Sequence, residues 1–327
     1  MMDSNTFFVG NNALVARILL DAKNGMLPHA VLFSGPSGIG KFALAKKVAE
    51  ILLHDSERIG KNTHPSCRVL DMLWIAGVQE DLDILSKSSN IDQSHRKKEG
   101  KRSDTIGIED LQVLTKFLFE TTDDPWKVCI IRNIERFGRE AAGTFLKTLE
   151  EPPPKTIFLL TTSSVSHVLP TVLSRVRLEK MTLVTDEILR PLLLSVGVED
   201  TKKQETLLRL CGGRPEILQK LMADTLFFER QKSLWDSLQI LSQNTNLLTS
   251  LQEAEIWSAC SVEELHERLD RLLVIWREEL RTGLAIGKIP QKSILALQER
   301  SRFLEALQKN ANKKLLLENF FCALSSR

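Results

Sequence analysis

Apolar and polar positions alternate in two different rhythms along this chain. Residues 30–33 (AVLF), 127–131 (KVCII) and 156–162 (TIFLLTT) are short continuous apolar runs of strand length. Unbroken runs of that kind are buried on both faces, as in a parallel sheet. Residues 69–76 (VLDMLWIA) predict a further buried strand. Between these runs the apolar spacing becomes helical: Leu14, Ile18 and Leu19 within residues 13–23, then residues 43–53. Ile108, Leu111, Leu114 and Leu118 mark a helix over 104–119, and residues 138–149 mark another. Residues 171–178 (TVLSRVRL) close the alternation. Strands alternating with helices over about 180 residues predict a doubly wound α/β domain with a parallel sheet.

From residue 185 onward the strand signal vanishes. Residues 188–194, with Pro191 in or near the first turn, and residues 205–211 and 216–222, parted by Gly212-Gly213, predict a small helical unit. Residues 227–241, 262–280, 294–308 and 315–324 predict four amphipathic helices of a separate all-α domain, with Trp235, Trp257 and Trp276 as core residues. The expected organisation is an α/β domain over 1–180, a helical lid over 181–225 and a helical domain over 226–327.

Composition narrows this picture. A chain of 327 residues exceeds one ordinary core. At 43% hydrophobic and 26% charged it reads as a soluble globular protein, and a net charge of +2 leaves any nucleic-acid contact to a local patch. Residues 86–103 (SKSSNIDQSHRKKEGKRS) are polar, basic and without apolar period, and predict a mobile loop. Its Arg96, Lys97, Lys98, Lys101 and Arg102 are either a solvated insertion or contacts to a phosphate backbone. Cys67, Cys129, Cys211, Cys260 and Cys322 are scattered, which fits reduced thiols. His54, His64 and Cys67 fall short of a four-ligand zinc site. With no secretory pattern at the N-terminus and no bilayer-length apolar run, the expectation is a cytoplasmic protein without membrane contact.

The sharpest chemical signal follows the run at 30–33. Gly35-Pro36-Ser37-Gly38-Ile39-Gly40-Lys41 leads straight into a helix-forming segment. That order is the strand, glycine loop and helix of a phosphate-binding loop. Glycines let backbone N–H groups approach phosphate oxygens, the helix N-terminus adds positive potential, and Lys41 reaches the outer phosphates. The alternative is a ligand-free glycine turn. Where the motif wants Ser or Thr to ligate Mg²⁺, this chain has Phe42.

Three segments in order, LPHAVLFSGPSGIGKFALAKKVAEIL, KVCIIRNIERFGREAAGTFLKTLEEPPPKTIFLLTT and LPTVLSRVRL, resemble the clamp-loader group of AAA+ proteins. Within it they are most similar to the delta-prime branch, and the later ANKKLLLENFFCAL resembles the end of that family's collar. The resemblance implies a nucleotide-type α/β domain, a lid, and a collar that joins other subunits in a ring of five. It implies partners: motor gamma/tau and delta subunits, the sliding clamp and primed DNA.

The resemblance also assigns roles. A motor subunit carries Asp-Glu after the strand at 127–131, the Asp holding Mg²⁺ and the Glu polarising water. Here Arg132 and Asn133 stand instead, and Glu135 lies two residues further on. A cation at that place would repel Mg²⁺ by about 1–4 kcal/mol or more. Thr162 falls at the first sensor position. Ser174-Arg175-Val176 matches Ser-Arg-Cys, which makes Arg175 an arginine finger offered in trans to a neighbour's ATP. Its alternative is an ordinary surface arginine. Arg214 lies near the second sensor without clear assignment. The family's four-cysteine zinc module is missing, so no zinc is expected. Glu150 and Glu151 end a helix against its dipole, an unfavourable choice that is either functional or an ordinary helix end.

The reading that results is a non-hydrolysing stator with weak ATP or ADP binding, no Mg²⁺ at its own site, and one catalytic element, Arg175. The alternatives are an active motor subunit of the same machine and a nucleotide-binding scaffold outside replication.

Overall fold

A computed structural model describes residues 9–76, 85, 88–101, 103–243, 246–260, 262–285, 287, 291–308 and 311–325. Five strands form one sheet: β1 (Ala30–Ser34), β2 (Cys67–Leu70), β3 (Lys127–Ile131), β4 (Thr156–Thr162) and β5 (Arg177–Lys180). Their order is β2-β3-β4-β1-β5, and every pairing is parallel. All residues of β1, β3 and β4 are buried, which is why these strands read as unbroken apolar runs.

Alternate residues serve opposite faces. Val31, Phe33, Val128, Ile130 and Leu159 pack with α1 (Asn12–Lys23) and α2 (Lys41–Leu53). Leu32, Cys129, Ile131, Phe158 and Leu160 pack on the other side. Their partners there include Leu111, Leu114 and Phe145, from the helices at Ile108–Phe119 and Arg139–Glu150. This is the expected α/β sandwich. It brings the C-terminal ends of β1, β3 and β4 to one edge, where ligands of open α/β sheets bind.

Two local expectations are corrected. The strand expected over 69–76 is β2, which stops at Leu70. Its neighbour β3 ends at Ile131, and Asp71 beyond it turns to Arg132 instead of continuing the ladder. The stretch read as a loop over 86–103 contains a helix, Ser94–Glu99, and Arg96 within it is buried. Arg96 Nη1 pairs with Asp110 at 2.7 Å, and Nε and Nη1 also donate to Trp74 O and Thr105 O. Asp110 accepts from Gly107 N as well, capping the helix at Ile108–Phe119. Arg96 is therefore a staple of the fold and not a phosphate contact. Lys97 and Lys98 are exposed, Lys101 pairs with Glu99, and Arg102 lies outside the described residues.

Helices at Asp186–Ser195, Thr201–Cys211 and Pro215–Ala223 follow the sheet. By its contacts the chain divides into two compact units, Met1–Gln219 and Lys220–Arg327. The second unit contains helices at Thr225–Gln243, Leu247–Ala259, Val262–Ala285, Gln291–Gln308 and Lys313–Ser325. The one at Leu247–Ala259 adds to the four expected. Its Ala254 and Trp257 are buried while Leu248 and Ile256 are exposed, so no single apolar stripe marks it. Trp257 meets Phe321 edge-on at 5.1 Å, and Trp235 and Trp276 are buried in the same unit. No described helix is long and apolar enough to cross a membrane.

Candidate functional site

The glycine loop leaves β1 and enters α2 as the motif requires. Gly35, at φ +143°, runs so close to the chain that a Cβ there would lie 2.3 Å from Met181 O. Gly38, at φ +79°, faces Arg214 and Ile217, and Glu216 N donates to Gly38 O at 3.1 Å. Pro36, Ser37 and Ile39 complete the turn, and Gly40 at φ +98° starts α2 in left-handed backbone. The start of the helix at Pro215–Ala223 thus packs on the loop. Arg214 and Glu216 belong to the site, a placement that the Gly212-Gly213 break hints at without fixing.

Lys41 is only 6% exposed. Its ammonium donates to Gly35 O at 2.6 Å and to Pro36 O at 2.7 Å. Burial pushes the Lys41 ammonium down to about 8; Glu216 and Glu135 oppose this, and the Arg132 and Arg214 cations add to it. Three cations, Lys41, Arg132 and Arg214, and two carboxylates, Glu135 and Glu216, thus act on one another at the loop.

Two of the three departures from a hydrolytic motif, Phe42 and Arg132, meet in space. The Arg132 guanidinium lies 5.1 Å from the centroid of the Phe42 ring, and its Nη1 is 3.1 Å from Asp71 Oδ2. Lys46 Nζ lies 5.3 Å from the same ring. Burial holds Lys46 below its ordinary value. An aromatic ring with two cations near it, and the nearby carboxylate already paired to one of them, is not a donor set for Mg²⁺, which demands several hard oxygens. The residues here do not fit that metal. Asn133 sits in left-handed backbone at φ 57°, where Asn is tolerated better than Glu, and donates its N–H to Thr161 Oγ1 at 3.0 Å.

Thr162 ends β4 as expected, fully buried. Its hydroxyl donates to Ser164 O at 3.0 Å and accepts from Ser164 N at 3.1 Å, so it closes its own turn. Glu135 accepts from Ser163 N and Oγ at 2.9 and 2.6 Å. That binds the end of β3 to the end of β4.

Arg175 lies apart, between the short helix Pro170–Leu173 and β5. Its Nη1 donates to Thr171 O at 2.9 Å and Ser174 Oγ at 3.0 Å, and its Nη2 is 2.6 Å from Glu150 Oε1. The side chain is 35% exposed. Among the described residues, no group of three or more His, Cys, Asp or Glu could hold a metal ion.

Residues 10–184 match the family model described as "DNA polymerase III, delta subunit". The chain is 28% identical over 313 residues to the DNA polymerase III subunit delta' of Pseudomonas aeruginosa, covering 89% of each. It is 27% identical to a DNA polymerase III subunit gamma of Buchnera aphidicola, over 55% of this chain but only 45% of that one. Among solved structures, a gamma subunit-related protein of Thermotoga maritima aligns over 96% of this chain and 99% of its own, at 17% identity and TM-score 0.45. Since the family model spans more than half of the sequence, and the delta' relative nearly all of it, the chain belongs to the DNA polymerase III delta-subunit family of clamp-loader proteins.

Proposed function

We propose that this chain is a clamp-loader stator: a subunit that does not hydrolyse ATP itself and offers Arg175 in trans to the ATP of a neighbouring motor subunit. The observation that carries the reading is the Phe42–Arg132–Asp71 assembly, which stands where a motor subunit keeps its Mg²⁺ ligands. With no oxygen donor set for a metal and Asn133 where a motor subunit keeps its water-orienting Glu, phosphoryl transfer loses its main electrostatic support. The glycine loop and Lys41 retain weak, Mg²⁺-independent affinity for ATP or ADP, and no zinc is involved.

Arg175 suits a trans role because it is partly open to water on the α/β domain and lies outside this chain's own loop. Its guanidinium is planar and permanently charged, and neutralises charge developing on a transferred phosphoryl group. The partners on this reading are gamma/tau-type and delta-type subunits, with the sliding clamp and primed DNA as the objects of the assembled machine, in the cytoplasm. Subunit association falls to the second compact unit, residues 220–327.

The test is reconstitution with gamma/tau- and delta-type subunits, read by complex mass and by ATPase. The full chain is expected to join the complex and the chain ending at Met222 to stay out. Incorporation of the truncated chain, or failure of the full chain to assemble, overturns the reading.

A further inference from the structure

We propose that Glu150 parks Arg175 within the subunit and restrains basal ATP hydrolysis at the neighbouring site until that site's phosphates displace it. The inference rests on the trans-finger reading of Arg175. Its structural basis is the way the guanidinium is shared. Nη1 is held by a local clamp: Thr171 O at 2.9 Å and Ser174 Oγ at 3.0 Å, with Ser174 Oγ itself donating to Thr171 O at 2.9 Å. Nη2 is left to the Glu150 carboxylate, 2.6 Å away. One side of the fork fixes the arm, and the other faces a charge that can be exchanged.

Glu150 is not a loosely tethered surface group. It is the last residue of the helix Arg139–Glu150, whose Leu149 is buried at 1% exposure, and Pro153 behind it is buried too. The helix C-terminus disfavours a carboxylate there. Arg175 supplies the compensating charge, which accounts for a residue choice that is otherwise unfavourable.

Both partners are partly open to water, at 35% and 49% exposure, so their attraction is screened and the pair is weak enough to exchange. A nucleotide's phosphates carry more negative charge than one carboxylate and present several acceptor oxygens to the same nitrogen. An interface that closes over Arg175 removes water and strengthens the phosphate contact, while an open interface leaves the arm with Glu150. The carboxylate also repels phosphates approaching the Nη2 that it holds. On this account Glu150 sets how strongly hydrolysis depends on closure of the ring.

The experiment uses the reconstituted complex carrying Glu150→Gln, which keeps shape and removes charge, with Glu150→Ala as a second variant. ATPase is measured without and with sliding clamp and primed DNA. Basal turnover is expected to rise about two- to five-fold, the range set by releasing one exposed ion pair, while stimulated turnover stays near wild type. Adding Arg175→Ala to Glu150→Gln should abolish the rise. Basal turnover that is unchanged or lowered in both variants, with complex mass intact, overturns the proposal. If Arg175→Ala lowers stimulated turnover and Glu150→Gln does not raise the basal rate, only the parking role fails. If Arg175→Ala has no effect at all, the trans-finger reading fails and this inference falls with it.

Discussion

The Arg132 guanidinium stacks 5.1 Å from the centroid of the Phe42 ring, so two departures from a hydrolytic motif are contacts of one another. Asp71, which the chain pattern places inside a strand, completes the group through its 3.1 Å pairing with Arg132. These residues form a packed unit, and altering one leaves the others in place.

Repair of a single position should therefore fail. Phe42→Thr restores a hydroxyl at the metal-ligand position but leaves Arg132 bound to Asp71. Both the wild-type chain and this variant are expected to release phosphate at background rates with Mg²⁺ and ATP. Mg²⁺-dependent release from the pure wild-type chain, lost in Lys41→Ala, would sink the non-hydrolysing reading.

Lys41 gives the protein a pH signature. Its folded value of about 8 lies below the ordinary 10.5. Between those values the unfolded chain binds more protons than the folded one, so stability rises with pH through this window. The cost of burying the charge is complete below about 8. The slope is at most about 1.4 kcal/mol per pH unit. Chemical denaturation from pH 7.5 to 10 should show wild type gaining stability relative to Lys41→Met. Parallel curves for the two proteins would refute the burial argument.

Arg175→Ala should leave assembly intact and lower clamp- and DNA-stimulated ATPase of the complex. An isolated arginine finger is worth about 10³–10⁵ in rate, and a ring with several ATP sites will show less than that in bulk. Clamp loading should fall further than hydrolysis, because it needs all sites together. Arg175→Lys should not rescue, since a point charge lacks the planar fork. Wild-type ATPase and loading in Arg175→Ala would make the residue ordinary surface.

The buried pair of Arg96 and Asp110, each 1% exposed, predicts a large effect away from any nucleotide. Asp110→Ala leaves a guanidinium uncompensated in the interior, which costs about 3–5 kcal/mol. Urea unfolding should register that loss. A change under 1 kcal/mol would show that Arg96 reaches water once its partner is gone.

The sheet was legible because β1, β3 and β4 are buried on both faces, and continuous apolar runs of that length have few other uses. The glycine loop was legible because its spacing is local. What escaped were relations between distant positions. The pairing of Asp71 with Arg132 joins residues 61 apart in sequence. Arg96 looked like solvent-facing charge because its partners, Asp110 and three backbone carbonyls, lie on other segments. Packing of Arg214 and Glu216 against Gly38 likewise depends on where the helix Pro215–Ala223 lands. The helix Leu247–Ala259 was hidden by its exposed leucines, which blur the period that a sequence reading follows.

The Lys41 ammonium, tied to Gly35 O and Pro36 O, also works as a knot in its own loop. Removing the ammonium would take away the donor that these two carbonyls share, a loss felt in folding before any ligand arrives. Phe42 and Arg132 hold the neighbouring ground from the other side. The lysine thus has a structural use of its own in this loop, apart from any phosphate it meets.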